Sequence, residues 1–119
     1  MKGRNTVQEK FFSFALRTFK LYRYLSEEKR EYVLAKQLLR SETAIGANVE
    51  EAIGGQSEKD FYAKLNIAYK EARETHYWLR LLHQSNYLDT IEAESILTDC
   101  NELLKLLGSI IKTLKAKQN

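Results

Sequence analysis

LAKQLLRSETAIGANVEEAIGG, residues 34–55, is the stretch on which the fold turns. Leu34, Leu38, Ser41, Ile45, Asn48 and Ala52 recur every three or four residues, and Ala35, Leu39, Gly46, Val49 and Ile53 run alongside. That spacing gathers them on one face of an α-helix, whereas a half-buried strand would alternate. Gly54-Gly55 then supplies a stop. Within the run, Gly46 costs about 1 kcal/mol of helix propensity relative to alanine, and small neighbours (Ser41, Ala44, Ala47) let another helix approach closely. Asn48 lies on the apolar line and needs a hydrogen-bond partner if buried. Ordinary bundle packing accounts for this; the sharper reading makes Asn48 a polar key that sets register or subunit contacts.

The same period extends outward in both directions. Upstream, Val7, Phe11, Phe14, Thr18, Leu21 and Leu25 form one line, with Phe12, Ala15, Phe19 and Tyr22 beside it. Ser26, followed by Glu27 and Glu28, reads as the cap of the second helix. Downstream, Ser57 with Asp60 resembles a capping box before Phe61, Leu65, Ala68, Ala72, Thr75, Leu79 and Leu82. This third helix ends near Ser85-Asn86. Asp89 with Glu92 caps a fourth, carrying Ala93, Ile96, Cys100, Leu103, Leu107, Ile110 and Leu114. The predicted helices cover roughly residues 6–25, 27–53, 58–84 and 90–116. Short connections force antiparallel neighbours, so the expected fold is an all-α, up-down-up-down four-helix bundle over residues 1–119 as one domain.

Composition agrees. At 119 residues, 44% hydrophobic and 29% charged, the chain is long enough for a core and too apolar for disorder. It has no proline, the residue that breaks helix interiors. Its one cysteine leaves no internal disulfide. The basic start leads into an amphipathic segment studded with Arg17, Lys20 and Arg23. This argues against a secretory signal, and with no long apolar run elsewhere the expected location is cytoplasmic.

Catalytic and metal constellations are missing from the pattern. A carboxylate-bridged metal pair needs Glu-x-x-His on two helices, and Arg73 and Arg80 stand three before His76 and His83. Glu71 and Glu74 lie one turn apart, but amid Lys70, Arg73 and Arg80 they read as ion-pair partners. Cys100 fills a core slot. No phosphate-binding glycine loop occurs, so neither an enzyme nor a cofactor is expected.

Charge distribution says more. Residues 1–25 carry a net +5 and residues 103–119 a net +4, against −6 between them. Lys10, Arg17 and Lys20 recur on the first helix, and Lys105, Lys112 and Lys115 on the fourth. Of these, Lys10, Lys112 and Lys115 are predicted to gather with Lys2, Arg4 and Lys117 where the chain ends meet. On the third helix Asn66, Lys70, Arg73, Tyr77, Arg80 and Gln84 form a polar stripe with an aromatic in its middle. Such surfaces suit phosphate backbones, and Tyr77 suits a stacked base; solvated outer faces are the plainer reading. Spare apolar residues on the fourth helix (Leu97, Leu104, Leu106, Ile111), with the broad aromatic face of the first, predict a homo-oligomer.

The run Lys36-Gln37-Leu38-Leu39-Arg40-Ser41, then Ile45-Gly46-Ala47-Asn48-Val49-Glu50-Glu51-Ala52, is distinctive. So are Asp60-Phe61, Lys64-Leu65, Lys70-Glu71-Ala72-Arg73-Glu74-Thr75 and Tyr77-Trp78-Leu79. Together they closely resemble the four-helix bundle proteins encoded in intervening sequences of bacterial 23S rRNA genes. That resemblance implies cytoplasmic proteins assembling as ring-shaped homopentamers. It also implies a fold similar to the accessory protein of diversity-generating retroelements, which binds nucleic acid and a reverse transcriptase. It singles out Arg40, Ser41, Gly46, Asn48, Glu51, Glu71, Glu74 and Trp78 as structural or interface positions. On this basis the expected function is a non-enzymatic RNA-binding accessory factor; the alternative is a protein–protein adaptor or scaffold without direct nucleic-acid contact.

Overall fold

The computed structural model describes residues 2–118, with side chains from Thr6 to Lys117. Four helices follow one another: α1 (Lys2–Glu27), α2 (Val33–Ile53), α3 (Glu58–Gln84) and α4 (Thr90–Gln118), with no strand among the described residues. They pack lengthwise into an antiparallel four-helix bundle measuring 47 × 26 × 21 Å.

Two of the three helix starts are made by the capping residues expected. Ser57 Oγ accepts a hydrogen bond from Asp60 N at 3.0 Å, and Asp89 Oδ1 accepts from Glu92 N at 2.8 Å. The start of α2 differs. Ser26 lies inside α1, which continues to Glu27, and α2 begins at Val33 instead of residue 27. The chain reverses through Arg30, in the left-handed region at φ 55°. Glu31 then does the capping, its carboxylate accepting from Leu34 N and Ala35 N. A carboxylate at a helix N-terminus also meets the positive end of the helix dipole. At the other end of α2, Gly55 is closely surrounded: a Cβ there would stand 2.5 Å from Asp60 Oδ2 and 3.1 Å from Ala52 O, so the Asp60 side chain would have to swing away and the Ala52 carbonyl to give slightly.

The predicted lines form the core. Phe14, Leu21 and Leu25 of α1 meet Leu38, Ile45 and Val49 of α2, Leu65, Leu79 and Leu82 of α3, and Ile96, Leu103 and Leu107 of α4. Cys100 is buried among them, with its thiol pushed up to about 12, first by burial and then by Asp99. Contact is most extensive between α2 and α3, where small residues (Ala68, Ala72, Ser41) allow close approach, and sparsest between α1 and α4. At the α2–α3 seam Thr75 Oγ1 donates to Ser41 Oγ at 2.8 Å, deep in the core.

Of the two spare apolar surfaces expected, the one on α1 is exposed and that on α4 is largely covered. Leu97, Leu104 and Ile111 of α4 are half-buried against the core. The exposed strip is the aromatic face of α1, where Phe12, Leu16 and Phe19 are 65%, 49% and 46% exposed.

Thr18 carries a buried hydroxyl with no hydrogen-bond partner. Valine has the same shape without the oxygen, so Thr18→Val is expected to stabilise the bundle by about 1 kcal/mol. A lower urea midpoint for the variant would contradict this account of the site.

Candidate nucleic-acid interface

The candidate residues separate into four groups once the helices are packed. Arg40 of α2 reaches across to α3, its guanidinium donating to Glu71 at 3.3 Å and, more closely, to Glu74. Trp78 Nε1 donates to the same Glu74 carboxylate at 2.9 Å. The indole N–H first, and the Arg40 guanidinium after it, hold the Glu74 carboxyl below the usual carboxylate range. Arg40, Glu71, Glu74 and Trp78 thus form one network inside the subunit, one turn from the Ser41–Thr75 bond. Asn48 is half-buried and satisfies itself, donating to Ala44 O at 2.8 Å, while Glu51 pairs with Lys64 at 2.9 Å.

Lys10 and Arg17 lie at the α1–α4 seam. Lys10 pairs with Glu102 at 2.9 Å, and Arg17 bridges Asp99 at 2.8 Å and Glu92 at 3.1 Å. They brace the least packed seam of the bundle. The patch predicted from Lys2, Arg4, Lys10 and the α4 lysines is accordingly reduced. Lys10 is engaged by Glu102, Lys117 lies 3.6 Å from Glu58, and the side chains of Lys2 and Arg4 fall outside the described residues. Lys20 is exposed and stands alone near Tyr24 and Asp89.

The third group is cationic and uncompensated. A Cβ on Gly108 would lie 3.6 Å from the Tyr69 ring, so these two positions mark where α3 and α4 face each other. Arg73, His76 and Arg80 follow Tyr69 at four, seven and eleven residues, and Lys105, Lys112 and Lys115 stand at three before, four after and seven after Gly108. Helical spacing therefore sets both rows along the outer edge of the α3–α4 face. Arg73, Arg80 and the three lysines are exposed and make no ion pair with any described residue. The reason is the turning of the acids. Glu71 and Glu74 point to α2, while Asp99 and Glu102 point to α1. His76, half-buried beneath Arg80 and Arg73, titrates below the ordinary histidine value, through burial first and those two cations second. Tyr77 is exposed, with the Arg80 guanidinium 5.8 Å from its ring centroid. Lysines 105 to 115 cover ~15 Å of helix at 1.5 Å per residue. Lys70 stands apart, on the outward side of α3.

The fourth group is a finding that the residue pattern had not flagged. A groove of about 850 Å³ runs between α1 and α2, lined by Phe12, Ala15, Thr43, Gly46 and Ala47, with Glu42 in its wall. Glu42 is only 2% exposed, and burial raises its carboxyl to about 7. Its place four residues after Leu38 and three before Ile45 was the available signal.

Among the described residues no three His, Cys, Asp or Glu side chains converge as metal ligands, and no helix is long and apolar enough to cross a membrane. The molecule is a helical bundle whose distinctive surfaces are a cationic face and an apolar groove. Residues 4–109 match the family model described as 23S rRNA-intervening sequence protein, and the chain belongs to that family. It is similar to a crystal structure of a protein of unknown function from the S23 ribosomal protein family of Bacteroides thetaiotaomicron VPI-5482. The identity is 52%, the match covers 91% of this chain and 96% of that one, and the TM-score is 0.88. No curated protein matches.

Proposed function

We propose that this chain is a non-catalytic, self-assembling RNA-binding subunit that works in the cytoplasm and lays a phosphate backbone along its α3–α4 face. The observation that carries the reading is the uncompensated row of Arg73, Arg80, Lys105, Lys112 and Lys115, whose neighbouring acids are turned to other seams. Cations without partners lose little on meeting phosphates, and each neutralised phosphate releases counterions. Tyr77, exposed at the edge of the row, offers a ring on which an unpaired base can stack. The family's name ties the gene to 23S rRNA intervening sequences, which supports RNA as the polyanion. The exposed α1 strip supports assembly, with five subunits as the resemblance implies.

Fluorescence anisotropy with a hairpin RNA carrying an unpaired loop, at several KCl concentrations, tests the proposal. Affinity should fall steeply with salt. Lys112→Glu with Lys115→Glu should weaken binding at least tenfold and flatten the salt dependence by about one unit of slope per lysine. Lys20→Glu, on α1 and away from this face, should change binding far less. Salt-insensitive binding, or binding untouched by the α4 reversals, would remove the proposed face and favour a protein-binding adaptor that uses the α1 strip.

A further inference from the structure

We infer that the α1–α2 groove is the receiving half of a head-to-tail contact between copies of this chain, filled by the outward side of the next copy's α3, with Ile67 seated beside Gly46 and Lys70 reaching Glu42. The inference rests on the self-assembly reading and names its interface.

Two features of the groove have no explanation inside one subunit. Gly46 weakens the middle of α2, yet a Cβ there would meet nothing within 4 Å. No part of the chain uses the closeness that the glycine permits. Glu42 is almost wholly buried in the groove wall, and no described residue donates a hydrogen bond to it. A buried carboxylate without a partner is costly, and a cation arriving from outside would relieve it. The groove lining adds Glu9 and Glu50 and includes no lysine or arginine. Phe12 stands largely exposed at its rim. The chemistry of the missing occupant is therefore an apolar side chain beside a cation, on a helix that lies lengthwise.

This chain carries such a surface. On the outward side of α3, Ile67 is 43% exposed, and Lys70 beside it has no ion-pair partner among the described residues. Their height also fits. Ser41 is bonded to Thr75 and Glu51 to Lys64, so residues 42–50 of α2 stand level with residues 65–74 of α3. Copies rotated about an axis parallel to the bundle bring equal heights together. Lys70 then falls level with Gly46, about one turn from Glu42 and within reach of its long side chain, and Ile67 falls level with Asn48 and Val49, within a turn of Gly46. Because groove and filler are different faces, the contact is heterologous, and it closes into a ring when the rotation allows. A two-fold contact through the α1 strip fits less well. Gln8 bonds to Glu50, so Glu42 stands level with Leu16, the middle of that strip, and a dyad there would bring two Glu42 side chains together without a cation.

Sedimentation velocity on wild type and two variants tests the interface. Gly46→Leu fills the receiving groove where a single subunit has open space. Ile67→Asp with Lys70→Glu spoils the inserting face at exposed positions. Each variant alone should sediment as a folded monomer, with helical circular dichroism and cooperative unfolding like wild type. An equimolar mixture should form one-to-one dimers and nothing larger, because each partner keeps one good face. Either variant retaining the wild-type mass overturns the interface, as does a mixture that stays monomeric at the concentration where wild type assembles. A wild-type chain that is itself monomeric throughout overturns the assembly reading first, which separates the two failures.

Discussion

Leu38→Ala is expected to destabilise the bundle by ~3 kcal/mol, while Leu16→Ala, the same chemical change, costs the isolated subunit under ~1 kcal/mol. Leu38 is fully buried in the core between α1 and α3, at the tightest helix pair. Removing three carbons there loses their transfer free energy and leaves a cavity. Its surroundings are ill suited to closing that cavity, since Ala35 one turn before it is already small and the nearby Ser41–Thr75 hydrogen bond holds the α2–α3 spacing. Leu16 is about half exposed on α1, with open space on one side, so its loss removes contacts without making a void. Urea unfolding of both variants measures the contrast. Equal losses would mean that α2 and α3 do not carry the core, or that Leu16 is covered in the species measured. In the second case the loss at Leu16 should fade on dilution, because it belongs to an interface between copies.

The contrast also shows how much of this molecule is legible in its residues. Both α3 and α4 begin where side chains write the start plainly: Ser57 and Asp89 each accept the backbone N–H three residues on. The buried lines follow from spacing alone, since a three-to-four period has one face to bury. The beginning of α2 is written misleadingly. Ser26-Glu27-Glu28 has the composition of a helix start, yet Leu25 is fully buried and α1 keeps its period past it. The actual turn relies on Arg30 in a left-handed conformation, a position where glycine or asparagine is the usual mark. Glu31 then caps from a place no common motif describes.

The candidate site is harder to read for a related reason. Each row of charge can be found on its own helix by spacing, but which rows meet depends on how the helices are turned. Lys10 and Arg17 look like free cations until Glu102, Asp99 and Glu92 are seen across the seam. Arg73 and Arg80 look embedded among acids until Glu71 and Glu74 are found turned toward Arg40. Glu42 falls on the Leu38–Ile45–Val49 line by count, but nothing in a lone sequence separates a buried carboxylate there from a solvated one. The groove is a property of two helices together, and it becomes visible only when Phe12 is seen to leave the space above Gly46 open.

Glu42→Gln is expected to change stability by up to ~3 kcal/mol at high pH and by almost nothing in acid, and the sign follows from linkage. Burial raises the folded-state carboxyl from 4.5 to about 7, so between those values the folded chain holds a proton that the unfolded chain has lost. Stability from this group is therefore fully present below about pH 4.5, declines as pH rises to about 7, and stays low above that. Glutamine keeps the size of the protonated acid and cannot ionise. Below pH 4.5 the two proteins should unfold alike, and above pH 7 the variant should be the more stable. Other carboxylates act in both proteins and cancel. Glu74, held low by Trp78 and Arg40, contributes in the opposite sense, losing its stabilisation as pH falls. Urea midpoints for the pair at half-unit steps from pH 4 to pH 8 isolate Glu42, and parallel curves would show that its carboxyl is solvated after all. The measurement belongs in the Gly46→Leu background, where single subunits are expected. In assembled wild type the next copy's Lys70 should pair with the carboxylate, so the advantage of glutamine at high pH should shrink or reverse.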